Sequence, residues 1–199
     1  MNVFNENIHD GMSIYDGLIA EDMRLVVVNE TRLYGVFTHH RPRKQYEEYL
    51  FEPFVTELVF NDSNLFAKEP TLMNVSYGLS MKSQKNWSPF ACNVSMTGLC
   101  FVQSIIPHTI VASKKGYFYK SVGNNNMVVI VQSSFEPSNI WEYGEPRGGS
   151  QAELVDTPYG RCFFAIFHSS QGRGEDKKGR GIKTYYAGGY LFRLAIHTT

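Results

Sequence analysis

RGGSQAELVDTPYGRCFFAIFHSS (residues 147–170) and YYAGGYLF (residues 185–192) are the stretches that decide the predicted fold. Both are rich in apolar and aromatic residues, and the chain between them consists mainly of Gly, Lys, Arg, Glu and Asp. This pattern is typical of two antiparallel strands joined by a long exposed loop. Arg147, His168 and Tyr186 lie near the ends of these strands, where β proteins commonly carry their binding sites. The stretch therefore predicts a hairpin with a site at its mouth.

The same design occurs twice earlier in the chain. Residues 22–40 (DMRLVVVNETRLYGVFTHH) and residues 85–108 (KNWSPFACNVSMTGLCFVQSIIPH) each give a polar cluster, a short strand, a turn and a strand that ends at histidine. No window of adequate length shows apolar residues at helical spacing without a Pro or Gly break. We therefore predict an all-β chain built as a β-propeller of small antiparallel meanders, with a sandwich or jelly roll as the alternative.

Composition sets the limits of the functional interpretation. The chain of 199 residues fits one domain, and its formal net charge of zero gives no electrostatic reason to expect a nucleic-acid partner. Residues 1–20 are expected to form an irregular N-terminal segment and residues 21–199 the propeller domain. No membrane-spanning run is visible. Because metal-ligand spacing, a Gly-rich nucleotide loop and a G-x-S-x-G motif are all missing, we expect no metal site and find no support for an NTPase or a serine hydrolase.

Cysteines and asparagines favour different compartments. Cys92, Cys100 and Cys162 lie in or beside apolar strands, which predicts buried thiols and slightly favours a reducing, cytoplasmic compartment. Five N-x-[ST] patterns would instead permit glycosylation in a secretory lumen. They begin at Asn29, Asn61, Asn74, Asn86 and Asn93. The pattern at Asn86 overlaps a motif that we assign to the site, so we interpret it as accidental. The sequence leaves the compartment open.

Four short motifs resemble a known family. EDMRL (residues 21–25), KNWSPF (85–90), FHSS (167–170) and YYAGG (185–189) resemble, in this order, the motifs of the five-bladed β-propellers of glycoside hydrolase family 130. That family comprises β-mannoside phosphorylases and related β-1,2-mannosyltransferases. The resemblance covers residues 20–192, with Met in place of the family's Pro at position 23 and Ser in place of its usual Gly at position 169.

The resemblance also implies an incomplete ring. The family carries further propeller sequence before its first motif, and this chain has only about twenty residues there. We therefore expect a propeller of about four blades that lacks the N-terminal part. Because an open ring exposes sheet edges, an oligomer that covers them is one expectation.

The family's roles transfer to individual residues of this chain. The resemblance implies that Asp22 is the catalytic proton donor, acting through a sugar hydroxyl, and that phosphate or a sugar phosphate is the co-substrate. Candidate substrate and phosphate contacts are Arg24, Lys85, Asn86, His108, Arg147, His168 and Tyr186. Arg147 is chosen for the two glycines after it, which would let the backbone approach a ligand, and His108 for its place at a strand end. Arg offers a bidentate fork to phosphate, Lys a point charge, and His and Tyr single hydrogen bonds.

Structural roles remain open for several of these residues. Asp22 also suits a cap at the start of a strand, and Arg24 suits an ion pair with Glu21 or Asp22. The structural alternative for His168 is an ordinary histidine at the end of a strand, and the alternative for Tyr186 is a residue of the core. Trp87 and Trp141 are candidate sugar-stacking platforms, although ordinary buried tryptophans are favoured for both.

The sequence thus predicts a carbohydrate-active protein, either a β-mannoside phosphorylase or a mannosyltransferase, that needs no cofactor besides its phosphate-bearing co-substrate. The alternative is a non-catalytic propeller module that binds glycan or protein. The sugar, the linkage and the choice between phosphorylase and transferase stay open.

Overall fold

A computed structural model describes residues 19–42, 49–61, 64–73, 86–113, 127–133, 141–175 and 181–194. Over these ranges the chain forms strands and turns and no helix, and every strand pairing is antiparallel. The prediction of an all-β chain is confirmed. No helix that is long and apolar enough to cross a membrane occurs in these ranges.

The first sheet contains five strands: β1 (Ile19–Val28), β2 (Arg32–Pro42), β3 (Tyr49–Asn61), β4 (Asn64–Ala67) and β5 (Thr71–Leu72). β1 to β4 are neighbours in chain order, and β5 pairs with β3. The predicted turn between β1 and β2 is confirmed, and Asn29 and Glu30 form it with positive φ. β1 begins at Ile19, so the boundary expected at residue 21 falls inside this strand.

The second sheet contains β6 (Ser88–Ala91), β7 (Leu99–Ile105), β8 (His108–Ser113) and β9 (Met127–Gln132) in chain order. A disulfide between Cys92 and Cys100 closes the β6–β7 connection. The prediction that these two cysteines are buried thiols is therefore wrong. The turn after Cys92 brings the two Cα atoms to 5.8 Å, a distance that a disulfide can span. Cys162 is a free, buried thiol as predicted.

The third sheet contains β10 (Arg147–Gly148), β11 (Glu153–Thr157), β12 (Gly160–Glu175) and β13 (Gly181–Phe192). β12 pairs along one edge with β10 and β11 and along the other with β13. The predicted hairpin is present, but its connection is shorter than expected. β12 continues to Glu175 and β13 starts at Gly181, so much of the charged stretch belongs to the ladder.

Two apolar clusters hold the three sheets together. The first joins the first and second sheets and includes Val28, Tyr34, Trp87 and Phe101, which are all almost fully buried. The second joins the second and third sheets. It contains Phe90, Cys100, Val102, Ile110, Ala112, Ala152 and Ala165. The second sheet is therefore covered on both faces, and the sheets stack in chain order.

Candidate functional site

A bulge at the start of β1 sets the geometry of Asp22 and Arg24. The pairing with β2 shifts register between Glu21 and Arg24, and Asp22 has a φ of 55°. Bulges commonly re-aim the side chains next to them. Beyond the bulge the strand alternates, with Arg24, Val26 and Val28 buried. Asp22 is exposed while Arg24 reaches into the interior.

Arg24 is hydrogen-bonded to three separate parts of the chain. Its Nη2 donates to the carbonyl oxygen of Gly148 at 2.9 Å and to Oδ1 of Asn86 at 3.4 Å. Its Nε donates to the carbonyl oxygen of Gly149 at 3.2 Å, and its Nη1 to that of Asp22 at 3.1 Å. A guanidinium has five N–H groups, and these bonds use four of them. Arg24 is therefore mainly a link between protein segments.

The first strands of the three sheets converge at Arg24. β1 supplies Arg24, the residue two before β6 is Asn86, and β10 supplies Gly148. Asn86 is buried and holds a positive φ of 65°. Gly148 packs so closely against it that a Cβ there would overlap the Asn86 carbonyl oxygen and the Ser88 hydroxyl. The two glycines after Arg147 thus serve close packing of protein against protein.

Arg147 and His168 are direct partners across the β10–β12 pairing. Directly opposed residues in an antiparallel pair place their side chains on the same face of the sheet. Arg147 is 43% exposed and donates from Nη2 to Oε2 of Glu145 at 3.2 Å, while His168 is half-buried. An exposed ion pair of this kind is weak, so the Arg147 guanidinium can exchange Glu145 for another anion.

Tyr186 lies on the opposite face of the third sheet from His168. It is paired with Ser169, the residue after His168, and the side chains of successive strand residues point to opposite faces. Its ring stacks on Tyr143 with centroids 4.5 Å apart, and its hydroxyl accepts a hydrogen bond from Arg173 at 3.2 Å. The structure therefore does not bring Tyr186 together with His168 and Arg147.

His108 packs between the second and third sheets. Its ring lies 4.8 Å from that of Phe192 and 5.9 Å from that of Tyr190. Nε2 is buried and has no hydrogen-bond partner among the residues that the structure describes. Burial lowers the pKa of this imidazole. These contacts belong to the sheet–sheet core and not to the convergence at Arg24.

The remaining candidates divide between core and surface. Lys85 lies outside the described residues. Trp87 is 2% exposed and packs on Phe101, so it is a buried core tryptophan, in agreement with the sequence-based expectation. Trp141 is half-buried, contacts Phe167 edge to face and donates from Nε1 to Oγ of Ser169 at 2.8 Å.

Arg24 and Asp22 are charged residues that lie close together where the first strands of the three sheets meet. Burial lowers the pKa of the Arg24 guanidinium, and the nearby Asp22 carboxylate partly offsets this effect. Since arginine ordinarily titrates far above neutral pH, Arg24 remains a cation. Within the described ranges no group of three His, Cys, Asp or Glu side chains is placed to hold a metal ion.

Sequence reasoning missed the carbonyl oxygens of Gly148 and Gly149 as the acceptors for Arg24. The Gly-Gly pair did signal a close backbone approach, but the sequence does not say to what.

No protein-family model matches the chain, and no curated protein matches it.

Proposed function

We propose that this chain is a carbohydrate-active protein that acts on β-mannosides, as a phosphorylase or a mannosyltransferase with phosphate or a sugar phosphate as co-substrate. One observation carries the proposal: residues from three of the resembling motifs meet at one end of the sheets. Arg24 donates hydrogen bonds to the Asp22 carbonyl oxygen and to Asn86, and Phe167 of the third motif pairs with Gly148, whose carbonyl oxygen also accepts from Arg24. These motifs are distant in sequence, so their meeting is not a local effect.

The proposed fold is an incomplete β-propeller in which the three sheets are consecutive blades. Each sheet contains an antiparallel meander, and the sheets pack face to face in chain order, as blades do. Arg24 lies where the first strands of the three sheets meet, which corresponds to the axis of a propeller. Ligands of such a ring would bind at this end.

The proposed chemistry uses one acid and one anion site. Asp22 delivers its proton toward the oxygen of the leaving sugar while a phosphate oxygen bonds to the anomeric carbon from the opposite face and the glycosidic bond breaks. This arrangement needs one carboxyl group, whereas ordinary glycosidases need two. Arg24 is the positioning residue that holds the Asp22 carbonyl, and Arg147 and His168 are the anion contacts.

Calorimetry with inorganic phosphate and mannose 1-phosphate tests the anion site. We expect Arg147→Ala and His168→Ala each to weaken binding at least about tenfold, because hydrogen bonds to a charged group typically contribute about 1.5–3 kcal/mol. Arg161→Ala is the matched control: Arg161 is an exposed arginine on the same sheet, ion-paired to Asp156. Equal binding by the wild type and all three variants would overturn the proposal.

Measurements of the reaction rate test the role of Asp22 as the proton donor. We expect the wild type to release mannose 1-phosphate from a β-mannoside and phosphate, or to transfer mannose from a sugar phosphate. Asp22→Asn should lose at least about a hundredfold in rate, the usual contribution of a general acid, while it keeps phosphate binding. Binding without any turnover in the wild type would instead favour a non-catalytic module.

That second candidate has an observation of its own. The outer face of β1 exposes Met23, Leu25 and Val27, and the outer face of the third sheet exposes Phe164, Ile166 and Leu191. Contiguous exposed apolar residues commonly mark interaction surfaces. A glycan- or protein-binding module, or an oligomer that covers these faces, would use them. Sedimentation of the wild type against Leu25→Glu and Ile166→Glu distinguishes an oligomer from a monomer.

A further inference from the structure

Two of the N-x-[ST] asparagines lie in exposed connections between strands. Asn29 is in the turn between β1 and β2, and Asn93 is in the loop between β6 and β7. Both side chains are exposed. A glycan is bulky and polar, so it requires a surface position of this kind.

The two positions lie at the same end of the molecule. A Cβ on Gly98, in the loop that carries Asn93, would come within 3.5 Å of Nδ2 of Asn29. β1 runs from Arg24 toward Asn29, and β6 runs from Asn86 toward Asn93. Arg24 and Asn29 are five positions apart in the sequence, which is about 17 Å at the usual rise per strand residue. Glycans at this end would leave the candidate site clear.

The disulfide is an independent observation about the same loop. Cys92 and Cys100 close the connection that contains Asn93. Disulfides persist in oxidising compartments and are rare in reducing ones. In cells with a secretory pathway, the lumen that oxidises cysteines is also where N-x-[ST] asparagines receive glycans.

Asn86 provides the internal contrast because it carries the same tripeptide pattern in a buried position. It is 3% exposed, its Oδ1 accepts a hydrogen bond from Arg24, and Gly148 packs against its backbone. The folded chain has no room for a sugar there. The pattern at Asn61 runs into residues 62–63, and Asn74 lies outside the described residues, so neither contributes to the inference.

We infer that Asn29 and Asn93 are N-glycosylation sites of a protein that matures in an oxidising compartment. In the reaction Nδ2 of each asparagine bonds to C1 of an oligosaccharide carried on a lipid pyrophosphate. The bond from C1 to the pyrophosphate oxygen breaks, the lipid pyrophosphate leaves, and the amide loses one proton. The disulfide forms when the two thiols pass two electrons and two protons to a protein disulfide oxidant.

Peptide mapping tests the inference in two preparations of the full chain, one purified from its native cells and one secreted from eukaryotic cells behind a cleavable leader. Peptide N-glycosidase in water labelled with oxygen-18 converts each glycosylated asparagine to labelled aspartate. We expect the label at Asn29 and Asn93, none at Asn86, and a disulfide-linked peptide pair containing Cys92 and Cys100.

Isosteric variants assign each glycan. Asn29→Asp and Asn93→Asp should each lose the mass of one glycan, and the double variant should lose both. Since either change can reduce secretion, the map of the wild type decides the question alone. Unmodified Asn29 and Asn93 in the native protein, a glycan on folded Asn86, or free thiols at Cys92 and Cys100 would each overturn the inference.

Discussion

Arg24 and His108 are two basic side chains that enter contacts between sheets, and the fold accommodates them in opposite ways. Arg24 is surrounded by oxygen acceptors from β1, β10 and the approach to β6. His108 is surrounded by the rings of Phe192 and Tyr190, and its buried Nε2 has no partner in the described part of the chain. Burial lowers the pKa of both side chains.

The outcome differs because the ordinary pKa values differ. Arginine starts so high that it stays charged, and a buried charge is tolerated only when it is hydrogen-bonded. Histidine starts near neutrality, so burial without an acceptor leaves it neutral. The contrast indicates that Arg24 specifies how three sheets meet, whereas His108 fills space as an aromatic ring.

Of the substitutions that test this contrast, Arg24→Met is expected to have the largest effect. Methionine keeps the long side chain but leaves the carbonyl oxygens of Gly148 and Gly149 without their donor. We expect a loss of about 2–6 kcal/mol in the free energy of unfolding, because each of the two buried carbonyl oxygens left without a donor costs about 1–3 kcal/mol. Urea unfolding monitored by tryptophan fluorescence measures it.

An exposed arginine provides the control for this change. Arg161 pairs with Asp156 at 3.4 Å on the surface of the third sheet, and Arg161→Met should change stability by less than about 1 kcal/mol. Similar losses in the two variants would show that the hydrogen bonds of Arg24 do not hold the sheets together.

Gly148→Ala tests the same convergence with a smaller change. The added methyl group would overlap the Asn86 carbonyl oxygen and the Ser88 hydroxyl, so the strand must shift and lengthen the bonds to Arg24. We expect a loss of about 1–3 kcal/mol, as for overpacking in a core. Thermal unfolding followed by circular dichroism measures it.

Gly172→Ala is the matched substitution on the neighbouring strand. A Cβ at Gly172 would meet nothing within 4 Å, and Gly172 has no positive φ. This variant should be neutral or slightly stabilising, because alanine restricts the unfolded chain. If both alanine variants have the same unfolding temperature, the close packing at Gly148 does not contribute measurably to stability.

The local part of this structure was predictable from the sequence. Runs of β-branched and aromatic residues indicated β1, β2, β12 and β13, and the pattern of residues 22–40 indicated the turn between β1 and β2. Each of these signals lies within one hairpin. The all-β class follows from such signals alone.

The arrangement of the site was not predictable in the same way. The acceptors of Arg24 on Gly148 and Gly149 lie 124 and 125 residues away, so a structural role for this arginine has no local signature. The separation of Tyr186 from His168 depends on a register in which Tyr186 faces Ser169, and a shift of one residue would reverse it. The disulfide depends on the shape of the loop after Cys92.

His108→Phe has the smallest expected effect and tests whether the buried His108 imidazole is neutral in the folded protein. Phenylalanine keeps an aromatic ring against Phe192, so above about pH 6.5, the ordinary histidine value, stability should change by less than about 1.5 kcal/mol. Because the folded pKa of His108 is lowered, the unfolded state binds its proton first as the pH falls. The wild type should therefore lose stability as the pH falls from about 6.5 through the lower folded value, and His108→Phe should lack this part of the dependence. Urea unfolding of both proteins at about pH 7.5 and about pH 5.5 isolates it, because the other histidines cancel in the difference. An identical pH dependence in the two proteins would mean that folding does not change the pKa of His108, and burial would then not be what keeps this imidazole neutral.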